Sequence, residues 1–457
     1  MKKLFALTCL LASAAATPAW AQVTPPPVAT PQEAPPQEEE GLHADVTDTS
    51  GVDLTIAIPA MPTAQAVSTA AGPTDQLGVK LAQVIDDDLR NTGLFKTSGP
   101  GATRTIAYSE VTTPDYGSWG TSQAVVQGYV RANANGSLTV GCYLYDVRLQ
   151  TEMVRQGFVV SPADWRRAAH KCADAIYTRL TGEGPYFDSQ IVYVAEQGPK
   201  GKRRKQIAIM DQDGANHRFL TNGQNIVLTP RMSPKQNAIV YMSYEGRRPS
   251  IWIYDMSARS NRRLVDNVSQ NFAPHFSPDG RNILFSMSVA GNTDIYRIAV
   301  SGGSPQRLTN APGIDTGGSY SPDGNRIVFE SDRGGTQQLY VMNADGSNQK
   351  RISFGGGRYA TPVWSPRGDL IAFTRTGGGA FRIGVMNSGG GGEKLLTSAW
   401  GDEGPTWSPN GRVLMFFRAA QGSGRPDLWS VDLTGVNARK IPTPIDGSDP
   451  SWGPIRP

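Results

Sequence analysis

Over the C-terminal two thirds of the chain, apolar positions come in short runs cut every few residues by Gly, Pro, Asn and Asp. Ile283-Leu284-Phe285, Ile327-Val328-Phe329, Ile371-Ala372-Phe373 and Val413-Leu414-Met415 each follow a Ser-Pro dipeptide. These dipeptides begin at Ser233, Ser277, Ser321, Ser365 and Ser408, at spacings of 44, 44, 44 and 43 residues. Four of the five complete Ser-Pro-x-Gly, which suits a type I turn: Pro presets φ at the second position and Gly relieves the fourth. A glycine-containing break, a second run such as Asp294-Ile295-Tyr296-Arg297-Ile298 and a third ending Arg307-Leu308-Thr309 complete the unit. Four short strands in every unit of about 40–50 residues predict the blade of a β-propeller. The residue before each serine is large: Met232, Phe276, Tyr320, Trp364 and Trp407. It is expected to plug the space between neighbouring blades.

The five serines give five blades. Ahead of them lies a partial unit: residues 191–196, 206–210 and 218–221 alternate like strands but have no preceding Ser-Pro. At the far end, Asp449-Pro450-Ser451-Trp452-Gly453-Pro454 copies the approach Gly404-Pro405-Thr406-Trp407-Ser408-Pro409. A missing innermost strand at one end and a spare at the other make a sixth blade, shared by both ends of the domain. Such closure leaves no free sheet edge. The propeller is expected over residues 185–457.

The pattern differs between residues 42 and 184. Residues 52–58 alternate like a strand. Over 75–94, Leu77, Leu81, Val84, Ile85 and Leu89 recur at helical spacing, and Gly93 ends the helix. Residues 124–131 and 137–147 read as two strands joined at Asn135-Gly136. Ser161-Pro162 starts a second helix, capped by the serine, running to Leu180 with Trp165, Ala168, Ala169, Cys172 and Ile176 inward. A small α/β domain in front of an all-β propeller is the expected fold class.

Residues 1–21 have the charged start, apolar middle and Ala19-Trp20-Ala21 end of a secretory signal, cleaved between Ala21 and Gln22. Its apolar part is too short to span a bilayer, and no later stretch could, so stable membrane insertion is not expected. Residues 22–41 form a Pro- and Glu-rich lead, read as a disordered spacer. Removing Lys2 and Lys3 with the signal leaves 42 basic against 40 acidic residues, no footprint of a nucleic-acid binder.

An exported chain holding Asp88-Leu89-Arg90-Asn91-Thr92-Gly93-Leu94-Phe95 and Leu144-Tyr145-Asp146-Val147 in a small α/β domain, then a terminal Ser-Pro-Asp-Gly propeller, resembles the TolB family of the Tol-Pal system. The resemblance covers residue 43 to the end. It implies a monomeric periplasmic protein that binds the peptidoglycan-associated lipoprotein Pal, communicates with TolA and supports outer-membrane integrity and division. The lead departs from the family pattern, in which the mature chain starts near the segment at residues 43–49.

The rival readings are the propeller of a peptidase-like enzyme or of a glycan-binding exported protein. A peptidase would need a Gly-x-Ser-x-Gly elbow, which the sequence lacks. Its four histidines, His43, His170, His217 and His275, are scattered without His-Glu-x-x-His spacing; His170 reads as a surface or lightly packed position and His275 as a strand residue. Asp211-Gln212-Asp213-Gly214 and Asn343-Ala344-Asp345-Gly346 begin like calcium loops, but their glycines come too early and neither frame closes on glutamate. Hairpin turns are the simpler reading. No enzymatic activity, cofactor or metal site is expected. The basic residues at 200–205 read as a solvated hairpin.

In a propeller the residues leading each innermost strand line one mouth. Here they are Gln270, Asn271, Asp315, Thr316, Arg358, Tyr359, Asp402, Glu403 and Asp446, against the apolar Ile226, Val227 and Leu228 in the first blade. Recognition is commonly carried by loops on a rigid scaffold. With the resemblance, this rim is the expected Pal site, its acids steering a basic partner face. Cys142 and Cys172 could meet if the second helix packs on the strand bearing Cys142; they form either a disulfide, favoured by an oxidising compartment, or two buried thiols. The short, turn-like segment at residues 182–186 predicts a defined contact between the domains.

Overall fold

Each Ser-Pro-x-Gly turn closes as its chemistry demands. Gly280, Gly324, Gly368 and Gly411 donate their amides to the carbonyls of Ser277, Ser321, Ser365 and Ser408 at 2.9 Å. The serine hydroxyl then accepts the amide of the following strand, as in Asn282 N to Ser277 Oγ at 2.9 Å and Val413 N to Ser408 Oγ at 3.0 Å. In the computed structural model, residues 42–47, 54–199, 201–235, 237–246, 248–267, 269–422 and 424–457 are described. The signal segment, its cleavage point at Ala21 and Gln22, and the lead lie outside them.

Six four-stranded antiparallel sheets follow one another. Blades 1 to 5 have innermost strands Val227–Met232, Gln270–Phe276, Asp315–Tyr320, Arg358–Trp364 and Asp402–Trp407. Blade 6 is shared: Asp446–Ile455 pairs antiparallel with Ser189–Gln197, with Trp452 opposite Ile191. The plugs are buried where the sequence puts them. Phe276 packs among Ile251 and Ile253 of blade 1 and Ile283 of its own blade. Trp364 lies between Leu339 and Ile371, Trp407 between Ile383 and Leu414.

The small domain has a five-stranded sheet with two helices. Strand β1 (Leu54–Ala57) runs parallel to β2 (Phe95–Ser98) and β3 (Ala124–Ala132); β4 (Leu138–Asp146) and β5 (Thr151–Val160) add antiparallel at the far side. Helices α1 (Thr74–Arg90) and α2 (Trp165–Thr181) bury Leu77, Leu81, Ile85 and Leu89 against Ala169, Cys172, Ile176 and Leu180. At Gly78 a Cβ would stand 1.8 Å from the Met61 carbonyl oxygen, so only glycine admits this approach. Cys142 on β4 and Cys172 on α2 are joined in a disulfide, Cα atoms 5.8 Å apart.

Three local expectations change. The first helix stops at Arg90, and the chain turns through Asn91-Thr92-Gly93 into β2; the terminal apolar pair Leu94-Phe95 belongs to the turn and strand. Ser161 does not cap α2: its hydroxyl bonds the Asp164 carboxylate at 2.6 Å, and a 3-10 turn, Pro162–Asp164, intervenes before Trp165. The edge strand β5, which the sequence pattern did not announce, is mostly exposed and lacks clean alternation.

Candidate functional site

The two ends of the propeller differ. The end carrying the Ser-Pro turns receives the small domain. Asn410 Nδ2 donates to Gly184 O at 2.9 Å, Arg412 Nη2 to Val46 O at 2.6 Å and Asn437 Nδ2 to Asn91 O at 2.9 Å; Arg367 pairs with Glu183. Asp174 of α2 anchors the connecting segment by accepting the amides of Tyr186, Phe187 and Asp188 at 2.7, 2.8 and 3.0 Å. Burial raises its carboxyl to about 6 despite those bonds. The channel at this end opens into a cavity of about 330 Å³ ringed by Pro234, Pro278, Pro322, Pro366, Pro409 and Pro454.

The other end is where the innermost strands begin, and the small domain makes none of these bonds there. It carries the rim residues, but not all at the surface. Gln270 and Arg358 are exposed, and Thr316, Glu403 and Asp446 are half-buried. Asn271, Asp315, Tyr359 and Asp402 are fully buried. Asn271 Nδ2 ties down the Asn267 side chain at 2.9 Å, and the Tyr359 hydroxyl donates to Glu393 at 2.6 Å. These four residues shape the loops, and only their neighbours can meet a partner directly.

The charge reading changes with them. Asp315 is paired with Arg333 at 2.6 Å, Asp402 with Arg418 at 2.6 and 3.0 Å, and Asp446 with Arg203 and Arg425 at 3.5 and 3.2 Å. The strongly acidic field expected at the mouth is therefore largely cancelled by arginines from neighbouring strands. Uncancelled acid lies deeper. Burial raises Glu330 to about 7; its carboxylate accepts the Thr361 amide at 2.8 Å. Burial also raises Glu403, with Asp449 adding to the shift. In the channel wall, burial and the Arg231 charge push His275 down to about 4, which agrees with its reading as a strand histidine. In the basic hairpin, Arg203 and Lys205 both pair with Glu196, at 3.0 and 2.8 Å, so they are structural.

One backbone feature unites the six innermost strands. Thr229, Ala273, Gly317, Thr361, Gly404 and Asp449 occupy the same place in them, and all have φ between 47° and 67°. The ladder register shifts at each. Such bulges re-aim side chains and recur beside binding sites.

What the sequence reading missed is apolar, Ile226 of the first blade excepted. Ile226, Tyr244, Val289, Ile314, Phe354 and Trp400 are 40–75% exposed. Each belongs to a loop or strand end on the open side of blades 1 to 5. Phe354, the most exposed at 75%, lies under the Arg351 guanidinium, and Trp400 meets Phe381 edge-on at 6.4 Å. A signal existed: Ile226, Ile314, Phe354 and Trp400 each stand within four residues ahead of an innermost strand.

Among the described residues, the one grouping with metal-ligating spacing is Asp88, His170 and Asp213, their donor atoms within 4.8 Å of one another. Both Asp88 oxygens and the His170 Nδ1 are already engaged, and Asp213 is paired with Arg166. That is an ion-pair network between domains, in which His170 Nε2 alone of these donor atoms has no hydrogen-bond partner. His170 is fully buried there, correcting its reading as a surface position. No helix among the described residues is long and apolar enough to cross a membrane.

Comparison with known proteins agrees with this architecture. The chain matches the family description "TolB beta propeller domain" over residues 177–456 and "TolB amino-terminal domain" over 24–153. A relative from Rhizorhabdus wittichii, named Tol-Pal system protein TolB, is 68% identical over 418 residues, covering 91% of this chain and 95% of the relative. One of the same name from Sphingopyxis alaskensis is 64% identical over 454 residues, 99% and 98% of the two chains. The crystal structure of TolB from Acinetobacter baumannii superposes with a TM-score of 0.77 at 29% identity, covering 91% of this chain and 99% of that one.

Proposed function

Since the chain belongs to the TolB family, we propose that it is a non-enzymatic periplasmic docking protein of the Tol-Pal system, which holds Pal on the open mouth of its propeller and communicates with TolA. The observation that carries this reading is the asymmetry of the two ends. One end is tied to the small domain; the other carries uncovered apolar and aromatic side chains on five of its six blades, beside polar rim residues. Aromatic anchors with a polar complement are the composition of a protein interface. Exposed apolar area concentrated at one end of a soluble scaffold marks an interaction site.

Within this reading Phe354, Trp400 and Ile314 supply most of the contact energy, and Gln270, Thr316 and Arg358 fix orientation. Asn271, Asp315, Tyr359 and Asp402 act from beneath by holding the loops. No chemistry is assigned to the mouth, and cell-division and outer-membrane roles follow from the Tol-Pal assignment. The test is titration of the mature chain with the soluble domain of Pal, free chain against chain carrying Thr316→Trp. A saturable 1:1 complex weakened at least tenfold by the substitution is expected. Unchanged binding would move the site off this mouth, and labelling by a serine-reactive probe would reopen the enzyme reading.

A further inference from the structure

The turn Asp211-Gln212-Asp213-Gly214, at the closed end of blade 6, reaches the two helices of the small domain. Gln212 is buried and donates Nε2 to Asp88 Oδ1 of α1 at 2.8 Å. The other oxygen of Asp88 lies 2.6 Å from Nδ1 of His170 on α2. The opposite ring nitrogen, Nε2, is buried without a hydrogen-bond partner and points toward Asp213, 3.9 Å from its Oδ2. The histidine thus stands between a carboxylate of its own domain and one of the propeller.

The protonation state follows from this geometry. A neutral ring protonated on Nδ1 would turn a bare lone pair toward the Asp213 carboxylate; an imidazolium turns an N–H toward each acid. Burial by itself would strip the proton. Asp88, by charge and hydrogen bond, overrides it, with Asp213 and Asp211 adding, and the ring stays protonated to about 9. The remaining charged or titratable neighbours are Arg166, paired with Asp213, Arg439 from blade 5, and Tyr186 and Asp174 on the Asp88 side.

We propose that Asp88, His170, Gln212 and Asp213 form a proton-held latch that fixes the small domain on the propeller: the doubly protonated ring ties α1 to the Asp211 turn, and loss of one proton lets the turn withdraw and the domains move against each other. The folded pKa lies above the ordinary histidine value of about 6.5. The stabilisation is therefore complete below about 6.5 and is lost as pH rises through about 9. At the acid end the latch fails when Asp88 takes up a proton, which its burial moves above the ordinary carboxylate range. The latch does not depend on which partner the open mouth takes.

The experiment is a pulsed-EPR distance measurement on the mature chain, with spin labels attached through non-cysteine chemistry at exposed Ala64 of the small domain and Ser257 of blade 1. A single narrow distance distribution at pH 7 should broaden with a midpoint near 9. His170→Asn keeps a donor for Asp88 but no charge, and should be broad at pH 7 already, with little further change up to pH 10. The propeller-side double variant Gln212→Ala with Asp213→Asn leaves the small-domain core untouched and should also be broad at pH 7. A distribution that stays narrow in the native chain to pH 10 would overturn the latch. So would narrow distributions at pH 7 in whichever of the two variants folds, or a pH 9 transition that persists unchanged in His170→Asn.

Discussion

The two ends of the propeller are made by the same repeat and have opposite fates. At the closed end, acids are held by partners of opposite sign: Asp188 by Arg167 and Arg456, Asp213 by Arg166, Asp88 by His170, the Arg166 and Arg167 pairs crossing the domain boundary. At the open end, Asp315 and Asp402 are paired within their own blades and Asp446 with arginines of blades 6 and 5, and apolar side chains face solvent beside Gln270 and Arg358. A buried ion pair fixes geometry because breaking it strands a charge. An exposed aromatic costs little until something covers it. One end is built to hold an orientation, the other to be covered by a partner.

The comparison breaks most visibly at Asp174. Asp174→Ala would leave three buried amides of the connecting segment without an acceptor, and a loss of about 3 kcal/mol or more is expected. A denaturation midpoint unchanged by the substitution would mean that the segment does not fix the domains. Next in size is the disulfide, which closes a loop with a sequence separation of 30 residues. Replacing both Cys142 and Cys172 by Ala should cost the small domain about 3 kcal/mol, read as a lowered small-domain melting temperature while the propeller transition stays put.

Changes at the open end should affect binding and spare stability. Phe354→Ala together with Trp400→Ala is expected to weaken Pal at least tenfold, about 1.4 kcal/mol, with the melting temperature unchanged. Substitutions at Asp279 and Asp323, in the turns of the closed end, should leave Pal affinity alone; the reverse pattern in titration calorimetry would exchange the roles of the two mouths. A further expected effect is on pH dependence. Glu330 has a folded pKa of about 7, above its ordinary value of 4.5. Native protein therefore binds more protons than unfolded chain between those values, and stability falls as pH rises through them, by no more than about 1.4 kcal/mol per pH unit. Glu330→Gln should flatten that slope in denaturant titrations from pH 4.5 to 7.5. A slope that survives the substitution belongs to another group, Asp174, held at about 6, being the first to try.

The blade unit was legible because its signals are local. Ser-Pro-x-Gly sets its own turn, the plug sits immediately before it, and the apolar run follows at once. The shared sixth blade was legible too, since Asp449–Pro454 repeats the pattern of Gly404–Pro409 one blade earlier. The small domain was partly readable: α1 and α2 show helical periodicity, whereas β5, exposed along most of its length, has no pattern that a buried face would impose.

The rim shows where local reasoning stops. Phe354, in the loop ahead of an innermost strand, and Tyr359, in that strand, lie five positions apart, and aromatic character alone would choose either as the anchor; the tyrosine is fully buried and the phenylalanine 75% exposed. Asp315 reads as a free acid until Arg333, eighteen residues on, folds back beside it. His170 reads as a surface position until α1 brings Asp88 from 82 residues away and the propeller supplies Asp213. The sequence by itself determined the fold class and the number of blades, because those are written in contacts between near neighbours, and how the ring closes, because the last strand repeats the pattern of the blade before it. Which polar groups meet water, which acids keep their charge and what the domains say to each other were decided only in the tertiary structure, because solvation and pairing depend on residues the chain brings together from far apart.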